Sequence, residues 1–189
     1  MSAAGELFDV ATVYSDGACR GTALYMEIAP DANCEANTTM TSGACLEVTL
    51  GNDIDHYSAS CSSNPAEIVF QEFGSQHFLG YDAYNDESCT DFAGTIVYLA
   101  VGTCQPGFGN DSALATVHED GTGDLSLYND TASCATTPSF TVSADYNWVA
   151  GSCQSFGAGT GYIFFSSSTL KESSSDGSFG SASPTSTDS

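Results

Sequence analysis

Positive charge is almost missing from this chain of 189 residues: only Arg20 and Lys171 oppose 24 Asp and Glu, giving a formal charge of -22. Binding to a nucleic-acid backbone is thereby excluded, because each phosphate contact needs a Lys or Arg to displace counterions. Attachment to an anionic membrane surface fails for the same reason. Long apolar runs are missing too, and no window approaches the roughly 20 residues a spanning helix needs. The opening Met-Ser-Ala-Ala-Gly-Glu has neither a basic segment nor an apolar one, so a secretory leader is not expected in this chain. Cys-x-x-Cys is absent, as is any Cys-His pair at ligand spacing, which disfavours zinc and thioredoxin-type redox chemistry.

Cysteine itself is plentiful. Eight residues, Cys19, Cys34, Cys45, Cys61, Cys89, Cys104, Cys134 and Cys153, form an even set best read as four disulfides, which need an oxidising compartment. Three N-glycosylation sequons, at Asn37, Asn110 and Asn129, point to the same export route. An extracellular or cell-surface location follows as the expectation. An apolar share of 41% is enough for one sizeable core or two small ones.

Short β-prone runs punctuated by Gly, Asn, Asp and Ser fill residues 6–165 and predict an all-β fold. Strands are expected at Leu7–Tyr14, Thr22–Ile28, Cys45–Leu50, His56–Ser60, Glu67–Phe73, Phe78–Tyr84, Thr95–Val101, Leu114–Glu119, Leu125–Tyr128, Ser139–Asp145 and Gly161–Phe165. Helices are expected to be absent or single turns. Beyond Phe165 the composition changes, with 11 serines in 24 residues, so 166–189 reads as a Ser-rich stalk unable to offset its ordering entropy.

A repeat is the most informative feature. A tyrosine, a small polar turn and a cysteine recur as YSDGAC (Tyr14–Cys19), YSASC (Tyr57–Cys61), YNDESC (Tyr84–Cys89) and YNDTASC (Tyr128–Cys134). A second element, small-Gly-small-Cys, ends at Cys45, Cys104 and Cys153. These divide the chain into two related antiparallel β halves, 6–75 and 76–165, of Greek-key or sandwich type. Similar separations of 15, 16, 15 and 19 residues between consecutive cysteines favour sequential pairing, 19–34, 45–61, 89–104 and 134–153, among the many connectivities eight cysteines allow.

The runs VATVYSDGACRGTALYMEI, DANCEANTTMTSGACLEV, HYSASC, FLGYDAYNDESC, TIVYLAVGTCQP and LSLYNDTASC resemble the Cys-rich ectodomains of oomycete cell-surface proteins, including the outer parts of their tyrosine-kinase-like receptor kinases. That resemblance implies a Ser-rich stalk after the module and, in a full-length receptor, a membrane span and a kinase absent from this chain. A second likeness concerns fold alone: Tyr14-x4-Cys19-x-Gly21 followed by CLEVTLGNDIDHYSASC is similar to the βγ-crystallin Greek-key pattern, with a cysteine where that family has an aromatic. The same likeness brings Asn129-Asp130-Thr131-Ala132-Ser133 near that family's calcium signature.

Catalytic constellations are thin. His56, His77 and His118 lie in no recognisable motif, and paired cysteines leave no thiol nucleophile. The run Gly157–Gly161 lacks the preceding strand and following helix of a phosphate cradle and reads as a loop. Acidic positions Asp120 and Asp124, and the Asn52-Asp53-Ile54-Asp55 run, are candidates for calcium but read first as turns. The Asp-Tyr-Asn-Trp run singles out Tyr146 and Trp148 for ligand stacking. No cofactor is implied. The resulting expectation is a non-catalytic extracellular module that recognises a glycan or protein ligand as the ectodomain of a receptor-like protein. A self-assembling subunit of a surface coat or filament is the alternative, and a small secreted hydrolase or glycan-binding protein the third reading.

Overall fold

Alternate residues of Phe8–Tyr14 (β1) are Phe8, Val10, Thr12 and Tyr14, and all four are buried, as one fully covered face of a strand requires. In this computed structural model, which describes residues 7–31, 34, 45–50, 53–107, 110–131, 133–145, 151–155, 157 and 159–173, β1 lies near the middle of an eight-stranded sheet. The sheet's other strands are Ala23–Pro30 (β2), Cys45–Leu50 (β3), Asp53–Ser62 (β4), Phe78–Tyr84 (β5), Phe92–Leu99 (β6), Cys153–Ser155 (β11) and Gly161–Ser166 (β12). The order is β11-β12-β5-β6-β2-β1-β4-β3, and every pair is antiparallel. Val101–Pro106 (β7), Ser112–Val117 (β8), Gly123–Tyr128 (β9) and Phe140–Ala144 (β10) form a second sheet, ordered β10-β9-β8-β7.

The expected all-β, disulfide-stapled antiparallel fold is therefore present. Residues 75 and 76 fall between β4 and β5 in the chain, and the large sheet runs continuously across that point through the β2–β6 pairing. Strands β2-β1-β4-β3 on one side of the seam are matched by β6-β5-β12-β11 on the other. The register repeats with them: Tyr14 closes β1 after a shift at Val13/Tyr14, and Tyr84 closes β5 after a shift at Ala83/Tyr84. Glu27 and Ile96, each four residues beyond the partner of its terminal tyrosine, face each other in the seam. The four-stranded sheet lies between β6 and β11 in sequence, in the second part of the chain.

Three segments depart from the expected strands: β7 and β11 are strands that the pattern does not predict, and the third is helical. Residues Pro65–Phe73 form a helix (α1) rather than a strand over Glu67–Phe73, because Asn64 caps it: Asn64 Oδ1 accepts from the Glu67 backbone N–H while Asn64 Nδ2 donates to the Glu67 carboxylate. Pro65 at the first position has no N–H to lose, and Gly74 ends the helix at φ 58°. Val69 and Phe73, one turn apart, then face the sheet and are fully buried. A second helix, Ser167–Ser173 (α2), follows β12 directly, with Ser166 and Leu170 buried. The expected stalk boundary is corrected accordingly: 166–173 belong to the fold, and 174–189 lie outside the described residues.

Two cores result, one on each face of the large sheet. Under the helices, Val69, Phe73 and Leu170 pack on Phe8, Val10, Met26, Ile28, Phe78, Val97 and Phe165. On the other face Val13, Tyr25, Leu79, Tyr98 and Phe164 meet Ala113, Ala115, Leu125 and Val142 of the small sheet. Small alanines on β8 let the two sheets approach around the large rings.

The disulfides correct the sequential pairing. They join Cys19–Cys45, Cys34–Cys61, Cys89–Cys153 and Cys104–Cys134. Strand order explains this: the β1–β2 turn holding Cys19 comes to the same end of the sheet as Cys45, the first residue of edge strand β3, whereas Cys34 lies beyond the opposite end of β2. Spanning 26, 27, 64 and 30 residues, they are worth about 3 to 4 kcal/mol each in the chain-entropy account.

Candidate recognition surface

The tyrosine-turn-cysteine repeat builds two matching turns. After the buried ring of Tyr14, Asp16 Oδ1 accepts from the backbone N–H groups of Ala18 (3.2 Å) and Arg20 (3.1 Å). Following Tyr84, Asp86 Oδ1 accepts from Thr90 and Asp91, both at 2.8 Å, and its Oδ2 accepts from the Thr90 hydroxyl. Such Asx turns satisfy backbone donors that no strand partner reaches. The same bonds hold both carboxyls below the ordinary range, led by the Arg20 N–H for Asp16 and the Asp91 N–H for Asp86.

Each turn then passes through a left-handed cysteine, Cys19 at φ 49° and Cys89 at φ 53°. The cysteines fasten the turns to edge strands β3 and β11, where Cys45 and Cys153 occupy the first position. Sulfur of Cys45 lies 3.4 Å from the Gly17 carbonyl oxygen and that of Cys153 3.4 Å from the Glu87 carbonyl oxygen. Ser15, Ala18 and Arg20 are exposed on the first turn, and Asn85, Glu87, Ser88 and Thr90 on the second. Because β1 and β5 run in opposite directions, the two turns project from opposite ends of the large sheet. The floors differ, however. His56 stands opposite Tyr14 and its ring lies under Gly17, while Gly161 stands opposite Tyr84 and admits the second turn so closely that a Cβ there would meet the Asp86 carbonyl oxygen at 2.5 Å.

Polar groups elsewhere are arranged for structure. Asp124 accepts from Ser143 Oγ at 2.6 Å and faces His118 Nε2 at 2.9 Å, both of which lower its pKa, the serine bond first. This order, with the acid between serine and histidine, cannot activate the hydroxyl, since the base must touch the nucleophile. Asp120 accepts from the hydroxyl and backbone N–H of Thr122, so the calcium candidates Asp120 and Asp124 are both engaged by protein donors. His77 meets the Ser167 hydroxyl at 3.4 Å, and His56 lies 3.7 Å from Glu47. Among the described residues no group of three His, Cys, Asp or Glu is placed to hold a metal ion.

Among the described residues Asp82 is the one buried carboxyl. It faces the helix side of the sheet opposite Thr95, whose hydroxyl donates to it at 2.6 Å; burial pushes its pKa up to about 6 against the lowering effect of that bond. On the opposite face Tyr25 and Tyr98 stack across the seam at 5.3 Å, and the Tyr25 hydroxyl donates to Glu27. Burial raises both phenols, so these rings are core rather than a sugar-stacking platform. Leu46 and Val101 are the exposed large apolar side chains among the described residues.

The remaining sites expected from sequence divide. Asn110 and Asn129 are exposed in the turns at one end of the small sheet. Asn37, Tyr146, Trp148 and Asn52 lie outside the described residues. Gly157 and Gly159 adopt positive φ in the loop before β12, as a loop reading requires. Sequence reasoning passed over Asp82, Thr95 and Glu72; the burial of Asp82 follows from strand order, which local pattern does not carry.

Four disulfides with no free cysteine indicate an oxidising environment. No helix among the described residues is long and apolar enough to cross a membrane. Comparison of the chain with protein-family models, with curated proteins and with solved structures finds no match.

Proposed function

We propose that this chain is a non-catalytic extracellular recognition module, the ligand-binding ectodomain of a receptor-like cell-surface glycoprotein. The observation that carries the reading is the pair of turns at Asp16 and Asp86. Each is locked by its own carboxylate and by a disulfide to an edge strand, and each displays exposed polar side chains from a rigid sheet. Loops held on a stiff scaffold suit recognition, because little conformational freedom is lost when a partner docks. A protein or glycan partner fits these polar surfaces.

The test is a glycan and peptide binding screen with the oxidised protein, followed by Ala substitution of Arg20, Glu87 and Ser88. Loss of binding at unchanged melting temperature supports the reading; binding indifferent to all three substitutions overturns it. Assembly into a coat or filament is the second reading, favoured by the strands β3, β11, β7 and β10 that terminate the two sheets. Light scattering separates them: a monomer fits recognition, and high-order assemblies make this a structural subunit.

A further inference from the structure

The turns joining β7 to β8 and β9 to β10 meet at one tip of the small sheet. There the Asp130 backbone N–H donates to Asp111 Oδ1 at 2.7 Å, and Cys104–Cys134 ties β7 to the second turn, with the Cys134 N–H 3.0 Å from Cys104 sulfur. Both sequon asparagines, Asn110 and Asn129, are exposed here. Asn129 accepts the Ser139 hydroxyl through Oδ1 at 2.8 Å and so does not use its Nδ2, the atom that bears an N-linked sugar, in that bond.

The hydroxyls that complete the two sequons differ. Thr131 is half-buried, with its hydroxyl bonded to the Ser133 carbonyl at the surface. Ser112 is 2% exposed, paired with Tyr128 in the sheet, and its Oγ lies 3.7 Å from Cys134 sulfur. A transferase reads the third residue of the sequon, so the closed tip hides the Asn110 signal and leaves the Asn129 signal reachable.

Resting on the extracellular reading above, we infer that this tip is an N-glycosylation site in which sugar transfer to Asn129 is unimpeded, while transfer to Asn110 competes with closure of Cys104–Cys134. In the transfer, asparagine Nδ2 forms a bond to the anomeric carbon of a lipid-diphosphate-linked oligosaccharide. The carbon–oxygen bond to the diphosphate breaks, the lipid diphosphate leaves with that electron pair, and the amide loses one proton. Asn129 is glycosylated throughout, and Asn110 only in chains whose tip closes late.

The experiment secretes the chain from eukaryotic cells behind a cleavable leader, with Asn37→Gln to silence the third sequon, and reads intact mass. Two populations differing by one glycan are expected, the variable glycan vanishing in Asn110→Gln and the constant one in Asn129→Gln. Cys104→Ser with Cys134→Ser raises Asn110 occupancy; if that variant is retained in the cell, a brief pulse of reductant during synthesis of the unsubstituted cysteine chain gives the same rise. Full occupancy of both sites in the parent, or Asn110 occupancy unmoved by loss or delay of the disulfide, overturns the inference. Secreted protein with four disulfides and no sugar overturns it as well, but leaves the extracellular reading standing. A fully reduced chain as thermally stable as the oxidised one removes the support for that reading instead.

Discussion

The Tyr14 hydroxyl donates a 2.5 Å hydrogen bond to Glu72 Oε2, joining the last residue of β1 to the last turn of α1. Ser58 also donates to the Tyr14 oxygen, and burial followed by the Glu72 contact pushes this phenol up to about 12. Tyr84, its counterpart at the end of β5, is equally buried, with no hydrogen bond to a carboxylate among the described side chains. Tyr14→Phe is expected to lower stability by about 1 to 2 kcal/mol, the range for a partly buried bond to a charged acceptor. Tyr84→Phe should stay within about 0.5 kcal/mol. Urea titration of the two variants checks the asymmetry, and equal losses would refute it.

The buried carboxyl of Asp82 gives stability a definite pH dependence. Its folded pKa of about 6 lies above the ordinary value of 3.8, so the folded state prefers the proton. The contribution is fully present below about pH 4 and is lost as pH rises through 6, about 3 kcal/mol for two pKa units. Asp16, Asp86, Asp120 and Asp124 act oppositely, since their lowered pKa values support the fold above pH 4 and fail below it. Denaturation between pH 4.5 and 7.5 should therefore show the parent losing stability relative to Asp82→Asn as pH rises. Parallel curves would mean that Asp82 is not the buried group responsible.

Gly161 and Gly17 offer a paired test of the two turn floors. A methyl group at 161 meets the Asp86 carbonyl oxygen at 2.5 Å and Cys89 sulfur at 2.7 Å, atoms that cannot swing away. Gly161→Ala should cost about 1 to 3 kcal/mol, as overpacking does. At 17 the neighbour is the His56 ring at 3.2 Å, a side chain able to shift, so Gly17→Ala should be the milder change. Thermal melts rank the two; the reverse order would contradict the packing described for β12.

Asp86 holds its turn with three bonds of 2.8 Å and Asp16 with two longer ones. Asp86→Ala should consequently lower the melting temperature more than Asp16→Ala. Amide hydrogen exchange should show the difference at residues 90 and 91 against 18 and 20. Equal exchange in the two variants would show that the disulfides alone fix these turns.

The strands were legible because their alternation is local: Cys45–Leu50 and Phe78–Tyr84 fall where the pattern predicts them. The β-prone composition of Glu67–Phe73 points to a strand, whereas the helix signals lie in Asn64-Pro65-x-Glu67 and in the four-residue spacing of Val69 and Phe73. The disulfides were misassigned for a different reason. Similar spacings suggested local closure, yet strand order decides which turns meet, and that is a property of the whole sheet. The motif grammar held a better clue: cysteines 19, 89 and 134 end tyrosine units, and each bonds to a cysteine, 45, 153 or 104, that ends a small-Gly-small run. FLGYDAY reads as an ordinary strand with a solvent-facing acid, and the burial of Asp82 emerges only in the folded sheet.

The β2–β6 seam has one more consequence. Three of its four pairs, Met26–Val97, Glu27–Ile96 and Ile28–Thr95, map onto one another when the two quartets of strands are exchanged. That is the self-complementarity of an isologous contact, the kind through which two identical subunits associate about a dyad. Here both sides of the contact belong to one polypeptide, so its effective concentration is fixed by covalent linkage instead of by expression level.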